Sequence, residues 1–335
     1  MPVIVNLSNS SSFDGFTVVT TSKKQELGYA VSGAGDINED GIDDILIGAP
    51  NTYSHKQIYW TGFSSIVFGS KNPWPQLLDI DSLNGTNGFL AVSVNGWDGS
   101  GSSVSKAGDV NGDAIADIMI GSSGVAHGPD HSYVIFGNNE EWPAVIRLQD
   151  VNGTNGVDLG AGYFSVSGTG DMNGDGIDDM LICSQLVLLD KVIAYVIFGT
   201  KDPWPSVFDY DKLNGDNGFI IRGIYSDDRD YIATGIGDVN KDGINDIMIG
   251  DPQADEGAGE SYVIYGNKEW TKEFNLIDLD GTNGFIINGI KAGDSSGMSI
   301  SGGGDINGDQ IDDILISAPH ANNKGQVYVI FGKKD

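Results

Sequence analysis

Five times along the chain, oxygen-bearing side chains fall at positions 1, 3, 5 and 9 of a short stretch that follows a glycine and precedes an apolar run. The sets are Asp36, Asn38, Asp40 and Asp44; Asp109, Asn111, Asp113 and Asp117; Asp171, Asn173, Asp175 and Asp179; Asp238, Asn240, Asp242 and Asp246; and Asp305, Asn307, Asp309 and Asp313. Three carboxylates and an amide crowded in this way repel one another unless a cation sits among them. Oxygen donors at flexible spacing suit Ca2+ better than Mg2+, which demands a tight octahedron and keeps its waters. A single Asp/Asn/Gly-rich stretch reads equally well as a turn. Five copies with unvarying donor positions point instead to a metal loop, and to about five Ca2+ ions per chain.

The spacing matches the start of an EF-hand loop, but the remainder of the pattern excludes one. An EF-hand requires a bidentate Glu at position 12 and flanking helices. Position 12 here is Ile47, Ile120, Ile182, Ile249 or Ile316, each inside a run such as Ile45-Leu46-Ile47 or Ile118-Met119-Ile120. Short, β-branched and bounded by Asp and Gly or Ser, these runs read as strands buried on both faces. The loop therefore leads into a strand.

The loops begin 73, 62, 67 and 67 residues apart, so the 335 residues form one repeat array rather than unrelated domains. Ahead of each loop stands a turn and an apolar strand: Asp14-Gly15-Phe16, Asn87-Gly88-Phe89, Asn155-Gly156-Val157, Asn217-Gly218-Phe219 and Asn283-Gly284-Phe285. After each loop comes a strand ending in an aromatic residue and Gly, at 66–69, 134–137, 196–199, 263–266 and 329–332. Four short antiparallel strands per unit, without helical signals, describe a propeller blade. The expected architecture is all-β: a five-bladed β-propeller forming a single domain over 1–335, with repeats at about 1–69, 70–137, 138–199, 200–266 and 267–335.

The segment from Leu27-Gly28-Tyr29 to Gly48-Ala49-Pro50 resembles the FG-GAP repeat of integrin α-subunit propellers and bacterial integrin-like proteins, and the likeness extends over nearly the whole chain. It implies Ca2+ at the positions above, with the main-chain oxygen of position 7 as a further ligand, at Ile42, Ile115, Ile177, Ile244 and Ile311. The copies depart from the pattern unevenly. Tyr163 and Asp230 replace the Gly kept at Gly28, Gly101 and Gly297. The Gly-Ala-Pro of 48–50 becomes Gly250-Asp251-Pro252 and Ser317-Ala318-Pro319, and is lost at 121–123 and 183–185. Position 6, where Gly eases a turn, is Ala114 in the second loop and Gln310 in the fifth, so strain and weaker binding are expected there. Integrin propellers have seven blades. The phase of the five repeats leads to the expectation that the N-terminal strand, about 16–19, closes the ring by pairing with 327–331.

The formal net charge is −29, and fifteen of the 47 acidic residues are the three donor carboxylates of each of the five loops. Bound Ca2+ would offset about ten charges, and the remaining acidity excludes a nucleic-acid backbone or an anionic membrane as partner. The single cysteine, Cys183, excludes an intramolecular disulfide and reads as a small buried side chain. No run of 18 apolar residues exists, so no membrane span is read; residues 1–20 lack the basic start and apolar core of a secretory signal.

His55, His127, His131 and His320 do not recur in phase, and no serine stands in a nucleophile-elbow context. No catalytic residues are assigned, and the reading is of a protein without enzyme activity. Trp74, Trp142, Trp204 and Trp270 each stand 14 residues before a repeat glycine, a regularity that marks them as structural. Trp60, Trp97 and the apolar Leu186-Val187-Leu188-Leu189 break the pattern and are candidate contact residues. Asn84-Gly85-Thr86 and Asn152-Gly153-Thr154 match glycosylation acceptors but belong to the repeated turn. Together these features predict a calcium-loaded propeller outside the cytosol, extracellular or at the cell surface, acting in protein interaction or adhesion. A glycan-binding lectin and a non-catalytic module of a larger secreted enzyme are the alternatives. The protein or glycan ligand is expected opposite the calcium loops, on the variable connections 50–63, 122–132, 184–193, 251–260 and 319–325.

Overall fold

The computed structural model describes residues 15–21, 26–53, 60–93, 99–122, 131–161, 164–184, 192–223 and 231–334. The strand that follows each loop is buried on both faces, which requires a packed layer on either side. These strands are β3 (Asp44–Tyr53), β8 (Asp117–Ser122), β13 (Asp179–Ser184), β17 (Asp246–Asp251) and β22 (Asp313–Ala318). Each pairs antiparallel with the strand ahead of its loop: β2 (Ala30–Gly35), β7 (Ser100–Gly108), β12 (Phe164–Gly170), β16 (Ile232–Gly237) or β21 (Ile300–Gly304). On its other edge lies the aromatic-ended strand: β4 (Trp60–Val67), β9 (His131–Ile135), β14 (Val192–Ile197), β18 (Glu260–Ile264) or β23 (Gln326–Ile330). Position 12 is buried in every copy, with Ile47 the most exposed at 6 %. That placement in a sheet rules out an EF-hand helix.

The first four units add an outer strand, β6 (Gly88–Val92), β11 (Gly156–Ala161), β15 (Gly218–Arg222) or β20 (Gly284–Asn288). The sequence units and the sheets are not the same objects, however. Short strands β5 (Leu77–Asp79), β10 (Val145–Arg147) and β19 (Glu273–Asn275), each leading into a single 3-10 turn, run parallel to an outer strand of the preceding unit. β10 pairs with β6 and β19 with β15, while Val207 bridges Asp158 of β11 in the same sense. These crossovers were not legible in advance.

Successive sheets face one another. Leu46, Ile66 and Phe89 of the first share a core with Ile118, Ile120 and Tyr133 of the second. Met119 and Val134 on the second sheet's far side meet Met180, Ile182 and Ile197 of the third. Leu181 and Val196 then meet Ile247, Ile249 and Tyr262 of the fourth, whose Met248 and Val263 meet Ile314 and Ile316 of the fifth. The inner strands β2, β7, β12, β16 and β21 pack side by side in chain order.

The described strands form five sheets built on antiparallel strands, two of which add a short parallel strand, and one sheet of two parallel strands, and none of these sheets closes on itself. The expected pairing of 16–19 with 327–331 is not formed. Instead β1 (Thr17–Val19) runs parallel to β5, with Phe16 stacked on Trp74 at 4.2 Å. β1 thus occupies, relative to β5, the place that β6 takes relative to β10. Its apolar side chains Phe16 and Val18 are satisfied by the first unit's own core.

The regular tryptophans are structural, as their spacing implies. Trp142 stacks on Phe89 at 4.6 Å and Trp270 on Phe219 at 3.9 Å. Where Val157 replaces that Phe, Trp204 tilts onto Phe136 instead. Trp142 is 9 % exposed and lies in the core between the first two sheets. Trp142→Ala is therefore expected to cost about 3–5 kcal/mol by removing a buried aromatic, measured as a lowered urea midpoint; a loss below about 1 kcal/mol would show that the stack is not part of the core.

Candidate metal loops

Each loop starts from a glycine in the left-handed region, with φ of 62° to 87° at Gly35, Gly108, Gly170, Gly237 and Gly304. The ladder shifts register at this glycine, forming a bulge that re-aims the following Asp. The loop then folds around its own side chains. The position-1 carboxylate accepts the N–H groups of positions 5 and 6, as Asp36 does from Asp40 at 3.0 Å and Gly41 at 2.7 Å. Asn38 Oδ1 accepts the Asp40 N–H at 3.1 Å, and Asp40 Oδ1 accepts that of Ile42 at 2.9 Å. The same bonds recur at Asp109, Asn111 and Asp113, and at Asp171, Asn173 and Asp175. They recur again at Asp238, Asn240 and Asp242, and at Asp305, Asn307 and Asp309.

Position 9 behaves differently. Asp44, Asp117, Asp179, Asp246 and Asp313 are all buried. One carboxylate oxygen accepts the N–H of loop position 2, at Ile37, Val110, Met172, Val239 or Ile306, over 2.7–3.0 Å. The other accepts the N–H of the glycine that ends the third strand, at Gly69, Gly137, Gly199, Gly266 or Gly332, over 2.7–2.9 Å. Burial raises the carboxyls of Asp44, Asp117 and Asp246 to about 6, 8 and 7, and raises that of Asp179 well above the usual range. The two backbone N–H groups oppose this rise, and the carboxylates at positions 5 and 1 add to it.

The donor chemistry fits a hard cation. A carboxylate offers about four lone-pair sites and an amide oxygen two, and the N–H bonds described leave part of that capacity unused at the Asp of positions 1 and 5 and the Asn of position 3. Among the described residues, no three acidic, histidine or cysteine side chains already converge as a metal-holding group. An ion would therefore draw the loop donors together.

Neighbouring loops touch. The main-chain oxygens of Asp36, Asp109, Asp171 and Asp238 accept the N–H of position 8 in the next loop, at Ala116, Asp178, Asn245 and Asp312. Asp178 and Asp312 return a carboxylate oxygen to the N–H of Asp109 and Asp238, at 2.9 and 3.0 Å. Beside the loops lie open grooves that sequence reasoning missed. One of about 610 Å³ is bordered by Asn111, Asp113, Trp142 and Arg147, and one of about 680 Å³ by Asn240, Asp242, Trp270 and Thr282.

The remaining candidates fall into place without chemistry. His131 is hydrogen-bonded through Nδ1 to the Asp158 carboxylate at 2.8 Å, linking β9 to β11; His55 and His127 lie outside the described residues. Cys183 is buried, donates to the Tyr231 carbonyl at 3.3 Å, and has its thiol pushed up to about 12 by burial. Asn84 and Asn152 each accept the N–H and hydroxyl of the following Thr, fixing the repeated turn. Trp97 and Leu186–Leu189 lie outside the described residues, and of Trp60 only the backbone, opening β4, is described.

Ala114 and Gln310, which replace Gly at position 6, sit at φ of 73° and 68°. A side chain in that region costs roughly 1–2 kcal/mol, part of which the greater unfolded-state freedom of glycine cancels. Ala114→Gly and Gln310→Gly should each raise stability by up to about 1 kcal/mol in thermal melts; destabilisation by either would mean that the side chain holds the loop.

The FG-GAP repeat family matches residues 27–67, 232–264 and 296–330. These are the three units that retain the proline of the Gly-Ala-Pro pattern, as Pro50, Pro252 and Pro319. The chain is 28 % identical over 235 residues to integrin alpha pat-2 of Caenorhabditis elegans, covering 64 % of this chain and 18 % of that protein. It is 25 % identical over 324 residues to integrin alpha ina-1 of the same organism, covering 90 % of this chain and 27 % of the relative. It is also 25 % identical over 322 residues to human phosphatidylinositol-glycan-specific phospholipase D, covering 90 % and 36 % respectively. The chain thus spans about a third or less of the length of each relative. Matched repeats and integrin α relatives agree with the five-fold loop pattern: the chain is an integrin-like FG-GAP repeat protein.

Proposed function

We propose that the chain is a calcium-binding, non-catalytic FG-GAP module whose five sheets are the blades of a β-propeller, serving adhesion or protein interaction at the cell surface or outside the cell. The observation that carries this reading is the fivefold loop. Each copy fixes the same donors at positions 1, 3 and 5 through the same backbone bonds, which supports a ligand repeated with the unit. Ca2+ would be held by those side chains with the carbonyl of position 7, supplying charge neutralisation and no bond-making chemistry. The position-9 carboxylates would face the ion while clamping the strand ends. The likeness to integrin alpha subunits supports adhesion. The likeness to a phospholipase D over most of this chain supports the second reading, a non-catalytic module carried by a larger enzyme.

We place the partner, protein or glycan, on the connections opposite the loops. Of these, 251–260 and 319–325 are described, and both are compact turns at the far ends of β17 and β22. Substitutions at Gln253 and Asn322 should weaken binding to an immobilised glycan or matrix-protein array, while substitutions at Thr154 and Thr282 in the loop-side grooves should not. The reverse pattern would move the binding face to the loops.

Calcium titration with independent metal analysis should give about five ions per chain, and Asp171→Ala about one fewer. Binding to the folded state alone stabilises it by mass action, so a chelator should lower the melting temperature and added Ca2+ restore it. Melting indifferent to both would reduce the loops to ordinary turns. The sign of the pH dependence follows from the raised carboxyls. A folded-state pKa above the unfolded value of about 4 gives stability that is full below that pH and lost as pH rises through the folded value. Without metal, melting temperature should therefore fall between about pH 5 and pH 8, the range set by Asp44, Asp246 and Asp117. With Ca2+, which binds the ionised form, that fall should shrink or reverse.

A further inference from the structure

Successive loops meet at four links, and the same two main-chain bonds recur in each. The N–H of position 8 donates to the position-1 carbonyl of the preceding loop over 2.9–3.3 Å. The residue after the glycine that ends the third strand, Asn138, Thr200, Asn267 or Lys333, donates to the position-2 carbonyl of that loop over 2.9–3.0 Å. What differs from link to link is the side chain at position 8, which is Ala116, Asp178, Asn245 or Asp312.

Asp178 and Asp312 add a third bond. Their carboxylates accept the N–H of Asp109 and Asp238 at 2.9 and 3.0 Å, so each of those position-1 residues is held through both its N–H and its C=O. Both bonds are partly buried, and a charged acceptor makes them roughly twice as strong as a neutral pair. The space is fitted to them, because a Cβ on Gly108 or Gly237 would strike the same carboxylate. Ala116 has no acceptor and sets its methyl group over Gly35 instead. Asn245 brings only an uncharged amide to Gly170. The links between loops two and three and between loops four and five are therefore stronger than the other two.

We infer that Asp178 and Asp312 couple calcium binding, so that loops two and three fill cooperatively as one pair and loops four and five as another. The inference rests on the calcium reading proposed above, and makes these two residues positioning residues rather than ligands. Position 8 lies between two expected donors of its own loop: the carbonyl of Ile177 and the carboxylate of Asp179, or those of Ile311 and Asp313. An ion that gathers those donors fixes the residue between them. Asp178 in turn fixes both sides of the Asp109 main chain, whose carboxylate is the first donor of loop two. A second ion then meets a donor already in place, and the ordering cost that lowers its apparent affinity has been removed by the first. The like charge of two ions opposes this coupling, and salt near 0.15 M, with a Debye length of about 8 Å, screens it.

Calcium titration of the whole chain in that salt, followed by the amide resonances of Ala114 and Gly243, reads loops two and four separately. Asp171→Ala, which empties loop three, should weaken binding at loop two about fivefold or more and change loop four less than about twofold. In an Asp178→Ala background the same emptying should leave loop two unchanged. Because linkage is reciprocal, Asp109→Ala should weaken loop three by the same factor, read at Gly176, and leave loop one, read at Gly41, unchanged. Asp305→Ala with and without Asp312→Ala repeats the cycle at Gly243, and serves where an Asp171 variant does not fold. Equal weakening at loops two and four, none at loop two, or weakening that persists without Asp178 each overturns the coupling. Five sites that fill independently overturn it and leave the calcium reading intact. Resonances indifferent to Ca2+ at every loop overturn both.

Discussion

A buried aspartate that accepts two backbone N–H groups is the constraint on which each unit depends. Asp44 belongs to the first residue of β3, takes one N–H from the loop leaving β2, and takes the other from Gly69 at the end of β4. One side chain thereby fixes the ends of three strands. Its burial is unfavourable for the charge, and the two N–H groups would be left unsatisfied without it, at about 1–3 kcal/mol each. An apolar residue could fill the space but could not satisfy either donor. This accounts for an acidic residue in five interior positions where composition alone would favour Val or Ile.

From that clamp the arrangement of the rest follows. The loops are pinned at one end of each sheet, and there they contact one another through the position-8 N–H and the position-1 carbonyl. At the opposite end the second and third strands are joined by segments whose length and composition vary from unit to unit.

Much of this was legible because the repeat is written in residue types with narrow physical roles. Donor spacing, the Ile at position 12 and the Asn-Gly turns located the loops, the doubly buried strands and the outer strands. The tryptophan spacing reported a packing role that the Phe89 and Phe219 stacks bear out. What sequence reasoning missed depends on distance across the chain. The strands at 77–79, 145–147 and 273–275 are too short to announce themselves, and their parallel pairing depends on a neighbour about 55 residues away or more. That 16–19 does not pair with 327–331 has a related reason. Repeat phase reports which strand is missing from the last sheet, but the angle between packed sheets is set by side-chain volumes in every core at once.

The parallel stitches between an outer strand and the short strand of the next unit have a bearing on how such an array grows or shrinks by recombination. Because β10 completes the sheet that contains β6, and β19 the sheet that contains β15, such a sheet draws on three consecutive repeats. A crossover placed at the sequence boundary between repeats would graft one unit's outer strand onto a foreign short strand and its turn. Gain or loss of a unit is thus least disruptive when the breakpoints fall between a short strand and the next outer strand, in the repeated turn, which keeps each parallel pair together. The turn that opens each outer strand is then also the place where units can be exchanged.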